Sequence, residues 1–338
     1  MTASSGLVLA VDGGGSKTDV VLLDATGEVL AWERGTGSSP QLEGLDESVR
    51  VIDALIGRAL DGRDPRELIQ VSLYLSGLDL AEEIVAYRSA IVGREWADTA
   101  VAVENDLHAL LRAGTDSPDA VAVICGTGMN AIGVRADGVV VRFPALGPLS
   151  GDWGGGSELG DAVVWHAARA EDGRGPETAL RALLLRSVDA PSVAELIEDV
   201  HLGRRDHDGF AALAPLVFEA ARAGDAVAQS IVQRQAEEVV AFVQACVRKL
   251  DLHDIAVPVV FGGGVARSRD PLLLAGIRDG LDRVAPRAQL SVVDAPPVLG
   301  AALLALAATG GDEQALDRTR EGLSSDERFQ QRVPLSAG

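Results

Sequence analysis

Two stretches of this sequence follow the same plan, and that repetition constrains the fold more than any single motif. The first is LAVDGGGSKTDVVLLDATGEVL, which starts at Leu9, and the second is VAVICGTGMNAIGVRADGVVVR, which starts at Val121. Each contains an apolar run, a glycine-rich turn, a second apolar run, a short turn and a third β-branched run. Because such runs are typical of strands, each stretch predicts a three-stranded antiparallel meander.

The first glycine-rich turn has the composition of a phosphate-binding loop. Its three glycines allow successive backbone N–H groups to converge on an anion. Ser16, Lys17 and Thr18 add two hydroxyls and an ammonium group. The chain has only one other lysine, Lys249, which makes a chance lysine in this turn a weaker explanation. A tight turn without any ligand is the structural alternative.

Two other phosphate loops with glycines do not fit this stretch. A Walker A loop has a glycine directly before its lysine and a helix after it, whereas Ser16 precedes Lys17 here. A Rossmann fingerprint also requires a helix after its glycines, and residues 19–24 have the composition of a strand. The turn therefore predicts a hairpin.

The composition limits the partners of the protein. The 338-residue chain is 47% hydrophobic but only 4% aromatic, which indicates aliphatic packing and a length sufficient for two domains. A formal charge of −20 argues against nucleic acid or an anionic membrane as a partner. We find no transmembrane or signal-peptide pattern and expect a cytoplasmic protein. Cys125 and Cys246 are isolated in apolar contexts and are expected to be buried free thiols.

The remaining sequence extends both meanders into the duplicated order β-β-β-α-β-α-β-α. In the first half, a strand at 68–75 ends in Ser76-Gly77-Leu78-Asp79, and a strand at 100–104 leads into a helix. We expect an N-terminal lobe at residues 1–115 and a C-terminal lobe with a helical insertion at 116–296. A helix at 297–310 can pack back on the first lobe, and the polar tail at 311–338 is expected to be frayed or loosely packed.

Seven motifs follow one another along residues 7–308: DGGGSKT at 12–18, SGLD at 76–79, END at 104–106, GTGMN at 126–130, GDWGGGSELG at 151–160, GGGV at 262–265 and PVLGAALLA at 297–305. In this order they resemble the motifs of the sugar-kinase, heat-shock-chaperone and actin superfamily. The chain is most similar to the N-acetylglucosamine kinases and to the benzoyl-CoA reductase and 2-hydroxyacyl-CoA dehydratase activator ATPases. The resemblance implies an α/β fold of two ribonuclease H-like, actin-like ATPase lobes with a nucleotide cleft between them.

The resemblance implies that two glycine hairpins hold ATP for a phosphoryl transfer. It makes Asp12 the carboxylate that binds Mg²⁺ through water, with a turn-capping role as the structural alternative. Gly263 and Gly264 would let the backbone approach the adenosine, and an apolar helix at 212–214 could lie under the base or simply pack in the core. The implied phosphate contacts are Gly14, Gly15, Ser16, Lys17 and Thr18 in the first turn and Gly126, Thr127 and Gly128 in the second.

Asp106 is the residue on which the implied chemistry depends. The matching aspartate of N-acetylglucosamine kinases faces the attacking sugar hydroxyl, so the resemblance makes Asp106 the general base. A helix N-cap is the alternative, although capping by Asn105 would leave Asp106 free. Asp152 is implied as an acceptor for sugar hydroxyls, with a turn role as its alternative. The implied sugar-binding residues are Ser38, Ser39, Asn105, Asp106, Gly147 and Asp152.

The chain departs from the animal-type kinases around the sugar. Those carry an asparagine after the third strand and a tryptophan–glycine pair before a GDEG motif. Here the loop at 37–41 reads GSSPQ, the pair is Leu146-Gly147, and Trp153 makes the motif GDWG. The residues for phosphoryl transfer are thus retained, while recognition of an acetamido group is left open.

The expected function is an ATP- and Mg²⁺-dependent kinase for the 6-hydroxyl of N-acetylglucosamine or a related amino sugar, acting as a homodimer. The alternatives are an ATPase that activates a redox partner, a nucleotide-dependent regulator and a kinase for a different sugar. Two isolated cysteines do not match the paired cysteines with which such activators hold an iron–sulfur cluster. A DNA-binding regulator would have a basic domain, and a repressor-related sugar kinase a histidine–cysteine zinc cluster.

Overall fold

The computed structural model describes residues 6–206 and 208–325, which form two compact units and two five-stranded sheets. Unit 1 consists of residues 6–122, 142–144 and 293–325, and unit 2 of residues 123–141 and the described part of 145–292. The domain bounds expected from the sequence stay a prediction. Residues 326–338, the end of the predicted polar tail, lie outside the described residues.

The sheet of unit 1 has the strand order β3-β2-β1-β4-β5. As predicted, β1 (Leu7–Gly13), β2 (Lys17–Asp24) and β3 (Val29–Thr36) form an antiparallel meander. β4 (Leu68–Leu75) runs parallel to β1, and β5 (Ala100–Asn105) runs parallel to β4. Both faces of the central strands are buried, which explains the continuous apolar runs at residues 7–11 of β1 and 20–23 of β2.

One face of this sheet is covered mainly by α2 (Leu45–Leu60). Ile52, Leu55 and Ile56 lie on one side of this helix and pack with Leu9 of β1 in a single apolar cluster. Helix α1 (Pro40–Glu43) precedes α2, while α3 (Ala81–Ala90) and α4 (Leu107–Gly114) follow β4 and β5.

The second sheet has the order β10-β9-β6-β7-β8, which repeats the first when β6 to β10 take the places of β1 to β5. The duplicated order predicted from the sequence is therefore confirmed. Cys125 and Cys246 are buried free thiols, as expected. The strands are β6 (Ala120–Cys125), β7 (Met129–Val134), β8 (Val140–Arg142), β9 (Pro258–Gly262) and β10 (Gln289–Val292). The helices are α5 (Gly156–Glu171), α6 (Ala179–Val188), α7 (Val193–His201), α8 (Ala214–Arg222), α9 (Ala226–Leu250), α10 (Gly264–Arg267) and α11 (Pro271–Val284).

Helix α12 (Pro297–Ala308) belongs to unit 1, where it covers the second face of the sheet together with α4. Val8 and Ala10 lie on the opposite side of β1 from Leu9 and pack in one cluster with the apolar residues of α12. A Cβ at Gly300 would overlap the carbonyl oxygen of Ala109, so the two helix backbones are in direct contact. Of the helices in the described part of the chain, none combines the length and the apolar character needed to span a membrane.

For residues 313–325, helix α13 (Glu313–Ser325) corrects the expectation that the polar tail at 311–338 is frayed or loosely packed. Thr319 is fully buried, and its hydroxyl lies 3.0 Å from the carbonyl oxygen of Gly27, to which it donates. Leu323, one turn further on, is also fully buried. The helix is polar overall, and its buried residues form a single narrow stripe that packs against both α12 and residues near the start of the chain. Composition alone therefore did not indicate its packing.

Leu323→Ala is expected to lower the free energy of unfolding by about 2 to 4 kcal/mol, because it removes a fully buried side chain. Urea unfolding followed by circular dichroism measures this change. Glu321→Ala, on the exposed side of the same helix, is the matched control. If the two variants differ by less than about 0.5 kcal/mol, α13 does not contribute to the stability of unit 1.

Candidate functional site

The first glycine turn is a tight hairpin closed by a backbone hydrogen bond. The N–H group of Gly14 donates to the carbonyl oxygen of Lys17 at 2.8 Å. Ser16 is exposed, and Gly14, Gly15 and Lys17 are half-buried. The accessible part of the hairpin therefore consists of residues predicted to hold phosphates.

Lys17 lies in a small charge network that the sequence analysis did not identify. Its Nζ atom is 3.5 Å from the carboxylate of Asp19, which is fully buried. Arg34, the cross-strand neighbour of Asp19, donates to both carboxylate oxygens at 2.7 and 2.9 Å. Because Arg34 already neutralises Asp19, the ammonium of Lys17 retains charge for an anion at the turn. The sequence signal for this network is the spacing of Lys17 and Asp19, because side chains two residues apart lie on the same face of a strand such as β2.

Asp12 is the next-to-last residue of β1, beside the same turn, where it is 8% exposed and lies opposite Asp19 in the strand register. Within residues 6–206 and 208–325, no group of three or more histidine, cysteine or carboxylate side chains could hold a metal ion. Magnesium is commonly bound by one or two carboxylates together with water and substrate phosphates. A carboxylate next to a phosphate turn therefore fits magnesium, and this role of Asp12 stays a prediction.

Ser38 and Ser39, predicted to bind sugar, are both buried, and Ser38 lies against the first glycine turn. The N–H group of Ser38 donates to the carbonyl oxygen of Gly14 at 3.0 Å, and its hydroxyl is 2.7 Å from that of Thr18. The hydroxyl of Ser39 donates to the carbonyl oxygen of Ser76 at 3.2 Å. This geometry gives the three hydroxyls a supporting role. Direct contacts of Ser38 and Ser39 with sugar and of Thr18 with phosphate remain predictions.

Asn105 and Asp106 have different roles at the start of α4. The side-chain oxygen of Asn105 accepts from the N–H group of Leu107 at 3.1 Å, and its amide nitrogen donates to Asp79 at 2.9 Å. Asp106 makes no capping hydrogen bond with its side chain. Asn105 therefore holds the helix start and leaves the Asp106 carboxyl group for other chemistry. Because Asn105 is 1% exposed and both ends of its amide are bonded, its predicted sugar contact is not favoured by this geometry.

The carboxyl groups of Asp106 and Asp79 both titrate in an unusual range. Burial raises the pKa of Asp106 to about 7. Burial also raises the pKa of Asp79 to about 7, and the negative charge of Asp106 is the second cause. The two groups therefore titrate as a coupled pair. A general base works best when its pKa lies close to the working pH, so this environment suits a proton acceptor.

Arg142 and His108, which the sequence analysis did not single out, lie near these carboxyl groups. Arg142 donates to the carbonyl oxygen of Leu78 at 2.7 Å. Its positive charge opposes the effect of burial on the pKa of Asp106. Burial, together with the positive charge of Arg142, lowers the pKa of His108 to about 4, so the imidazole is neutral at pH 7. No local pattern indicated Arg142, since it is distant from Asp106 in the sequence.

The second glycine turn, residues 126–128, is exposed at Thr127 and Gly128. The N–H group of Gly126 donates to the carbonyl oxygen of Gly128 at 2.9 Å. A Cβ at Gly126 or Gly128 would meet no atom within 4 Å, so there is open space beside the turn. An exposed hydroxyl next to that space fits the predicted phosphate contacts.

Asp152 lies in the segment of residues 147–157, which we call the Asp152 loop and which ends in the first two residues of α5. Asp152 is 9% exposed; its N–H group donates to the carbonyl oxygen of Gly147 at 3.1 Å, and its carboxylate accepts from the hydroxyl of Ser150 at 2.5 Å. The guanidinium carbon of Arg234 is 3.9 Å from the ring centroid of Trp153. One face of the tryptophan ring is therefore occupied by a cation, which leaves only the other face for a sugar.

The two glycines predicted to approach adenosine differ in how closely other atoms pack against them. Gly263 has a φ angle of +96°, and a Cβ there would overlap the carbonyl oxygen of Cys125, so packing requires this glycine. A Cβ at Gly264 would meet nothing within 4 Å.

The predicted helix at 212–214 is corrected: Asp208–Leu213 is a 3₁₀ helix, and α8 starts at Ala214.

Two sheets with the same strand order, each with a glycine turn after its first strand, define the class of α/β protein predicted from the motifs. The pattern of the BadF/BadG/BcrA/BcrD ATPase family matches residues 9–305. The chain therefore belongs to this ATPase family.

Relatives of known function are similar over most of the chain. An N-acetyl-D-glucosamine kinase from Dictyostelium discoideum is 28% identical over 315 residues, which cover 90% of this chain and 98% of the relative. An N-acetylmuramic acid/N-acetylglucosamine kinase from Clostridium acetobutylicum is 27% identical over 260 residues, covering 76% and 85%. A solved structure from Chromobacterium violaceum, described as a candidate N-acetylglucosamine kinase, has a TM-score of 0.71 at 26% identity, covering 89% and 99%. These similarities confirm the predicted resemblance.

Asp106→Asn is expected to become more stable relative to the wild type as the pH rises from about 4.5 to about 7.5. The unfolded chain loses this proton near the ordinary aspartate pKa of 3.8, whereas the folded carboxyl group holds it until about pH 7. Ionisation therefore favours the unfolded wild type across this window, and the amide has no such proton. Urea unfolding at both pH values measures the difference.

Asp98→Asn, which changes an exposed carboxylate of the same unit, is the control for this measurement. A stability difference between Asp106→Asn and the wild type that does not vary with pH would contradict the raised pKa of Asp106.

Proposed function

We propose that the chain is an ATP- and Mg²⁺-dependent kinase that phosphorylates the 6-hydroxyl group of N-acetylglucosamine or a related amino sugar. The family membership and the activities named for its relatives support this function. The single observation that carries it is the state of Asp106. Its carboxyl group is half-buried, has a pKa of about 7 and is not needed as a helix cap, because Asn105 holds the helix start.

In this proposal Asp106 accepts the proton of the attacking sugar hydroxyl as that oxygen bonds to the γ-phosphorus of ATP. The bond from the γ-phosphorus to the β,γ-bridging oxygen breaks, and ADP leaves with its electron pair. A base with a pKa near 7 is about half ionised at pH 7, so a large share of the enzyme has the free carboxylate while that carboxylate retains substantial proton affinity. Asn105 keeps the first turn of α4 in place through its bonds to Leu107 and Asp79. The carboxylate is therefore oriented before the sugar binds.

The phosphate oxygens of ATP are held in this proposal by the two glycine turns and by the ammonium of Lys17. Asp12 would hold Mg²⁺, which, when bound, neutralises charge on the phosphates. Asp152 accepts hydrogen bonds from sugar hydroxyls, supported by its low exposure and its place in a glycine-rich loop. We include a homodimer and a cytoplasmic location in the proposal, as expected from the sequence.

A second candidate is an ATPase that acts on a redox partner, because the family is described as one of ATPases. The cysteines do not favour it. Cys125 and Cys246 are both fully buried, and burial raises the pKa of Cys246 to about 12. A cluster shared between subunits requires thiolates at an accessible surface.

ATP turnover is expected to require both an amino sugar and Mg²⁺, because transfer needs an acceptor hydroxyl and neutralised phosphates. Coupled ADP detection over N-acetylglucosamine, glucosamine, N-acetylmuramic acid and glucose measures this requirement, with EDTA-treated enzyme as the control. The position of the product phosphate is read by ³¹P and ¹H NMR. Substantial ATP hydrolysis without any sugar would support the second candidate instead.

Asp106→Asn is expected to lower kcat by about 10² to 10⁴, the usual contribution of a positioned acid–base group. The amide keeps the size of the side chain, so the affinity for ATP should change little, and any change in melting temperature should follow the pH-dependent gain in stability predicted above. Steady-state kinetics and calorimetric titration with ATP test these expectations, again with Asp98→Asn as the control. A folded variant with a kcat near that of the wild type would rule out Asp106 as the base.

A further inference from the structure

A buried side chain of α9 connects the second glycine turn to the Asp152 loop. Gln235 is fully buried. Its oxygen accepts from the N–H group of Gly155 at 3.0 Å, and its amide nitrogen lies 3.0 Å from the sulfur of Met129 and 3.3 Å from that of Cys125. Cys125 and Met129 are the residues on either side of the second glycine turn, and Gly155 belongs to the Asp152 loop. One amide group thus contacts both segments.

Backbone contacts join the same two segments directly. The N–H group of Gly156 donates to the carbonyl oxygen of Gly126 at 2.8 Å. A Cβ at Gly155 would lie 2.6 Å from the carbonyl oxygen of Gly128, so these backbones are in close contact. The loop and the turn therefore have no side chain between them, and their spacing is set by these bonds and by Gln235.

An amide at this position needs a physical reason. Burying an amide costs free energy that methionine, of similar size, would avoid. Sulfur atoms are weak acceptors, so Gly155 is the strong partner of the side chain. Gly155 is the N-cap residue of α5, and N–H groups at a helix start have no acceptor within the helix. Gln235 provides that acceptor.

We propose that Gln235 is a positioning residue that fixes the Asp152 loop to the second glycine turn. The sugar-binding and phosphate-binding groups of unit 2 then keep one spacing, an inference that rests on the proposed kinase function. Phosphoryl transfer needs reacting atoms in line, and a displacement of about 1 Å can reduce the rate on the order of 10²-fold. Loss of the amide should therefore impair transfer to the sugar much more than binding of ATP.

The decisive variant is Gln235→Met, which fills a similar volume but offers Gly155 only a weak sulfur acceptor. We expect kcat/KM for the sugar to fall by about 10- to 100-fold, with less than about a 3-fold change in the Kd for ATP. Hydrogen–deuterium exchange in peptides covering the Asp152 loop should increase. Gln235→Glu keeps an oxygen for Gly155 and should restore most of the kcat/KM and the slow exchange. Gln233→Met, at an exposed position of α9, should behave like the wild type.

A folded Gln235→Met protein with unchanged kcat/KM and unchanged loop exchange would overturn the proposal. The proposal would also be overturned if the variant had a lower melting temperature but normal kcat/KM and normal loop exchange at the assay temperature. A residue with a purely structural role would give that result. If Gln235→Met does not fold, Gln235→Glu decides: a large loss of kcat/KM with slow loop exchange retained would contradict the proposal, and near-normal kinetics would support it.

The exchange measurement separates this proposal from the proposed function. Addition of ATP alone is expected to slow exchange in the Asp152 loop of the wild type but not in Gln235→Met. If the wild type hydrolyses ATP without a sugar, the proposed kinase function fails. The slowing of loop exchange by ATP still shows in that case whether Gln235 connects the second glycine turn to the Asp152 loop. If ATP slows loop exchange equally in both proteins, the proposal for Gln235 fails whatever the substrate.

Discussion

Close contact between backbones at glycine positions is the constraint on which both glycine turns depend. A Cβ at Gly37 would overlap the carbonyl oxygen of Gly15, and a Cβ at Gly155 would lie 2.6 Å from the carbonyl oxygen of Gly128. A side chain at either position would overlap the turn. Each turn therefore keeps its form only because the residue packed against it is a glycine, Gly37 for the first turn and Gly155 for the second. Donors held in this way are arranged before a ligand arrives, which lowers the cost of binding a charged group.

The fold could be predicted from the sequence because its strongest signals are local. Runs of apolar and β-branched residues predicted β4 with the bounds that the structure has, Leu68–Leu75. The repetition of the meander then predicted a second sheet of the same order. Helix α13 could not be predicted in this way. Its buried residues form a narrow stripe in a polar segment, and the carbonyl oxygen of Gly27 that Thr319 binds is almost the full chain length away.

The candidate site could be predicted only in part, because composition does not show what a polar side chain binds. The glycine-rich loop around Ser38 made this residue a candidate for binding substrate. In the structure its hydrogen bonds are instead with residues of the first glycine hairpin. Asn105 and Asp106 were equally suitable helix caps until the hydrogen bonds distinguished them. Arg142 and Gln235 act through tertiary contacts with segments distant in sequence. The raised pKa of Asp106 arises from burial, which no local pattern reports.

The return of α12 to unit 1 has a consequence for folding during synthesis. Val8 and Ala10 are covered by a helix that the ribosome makes only after the whole of unit 2. Unit 2 can therefore complete its core while one face of the first sheet still exposes apolar side chains to water. Exposed apolar surface of this kind promotes aggregation of incomplete chains. The nascent N-terminal sheet thus depends on a late segment, or on a chaperone in its place, to remain in solution.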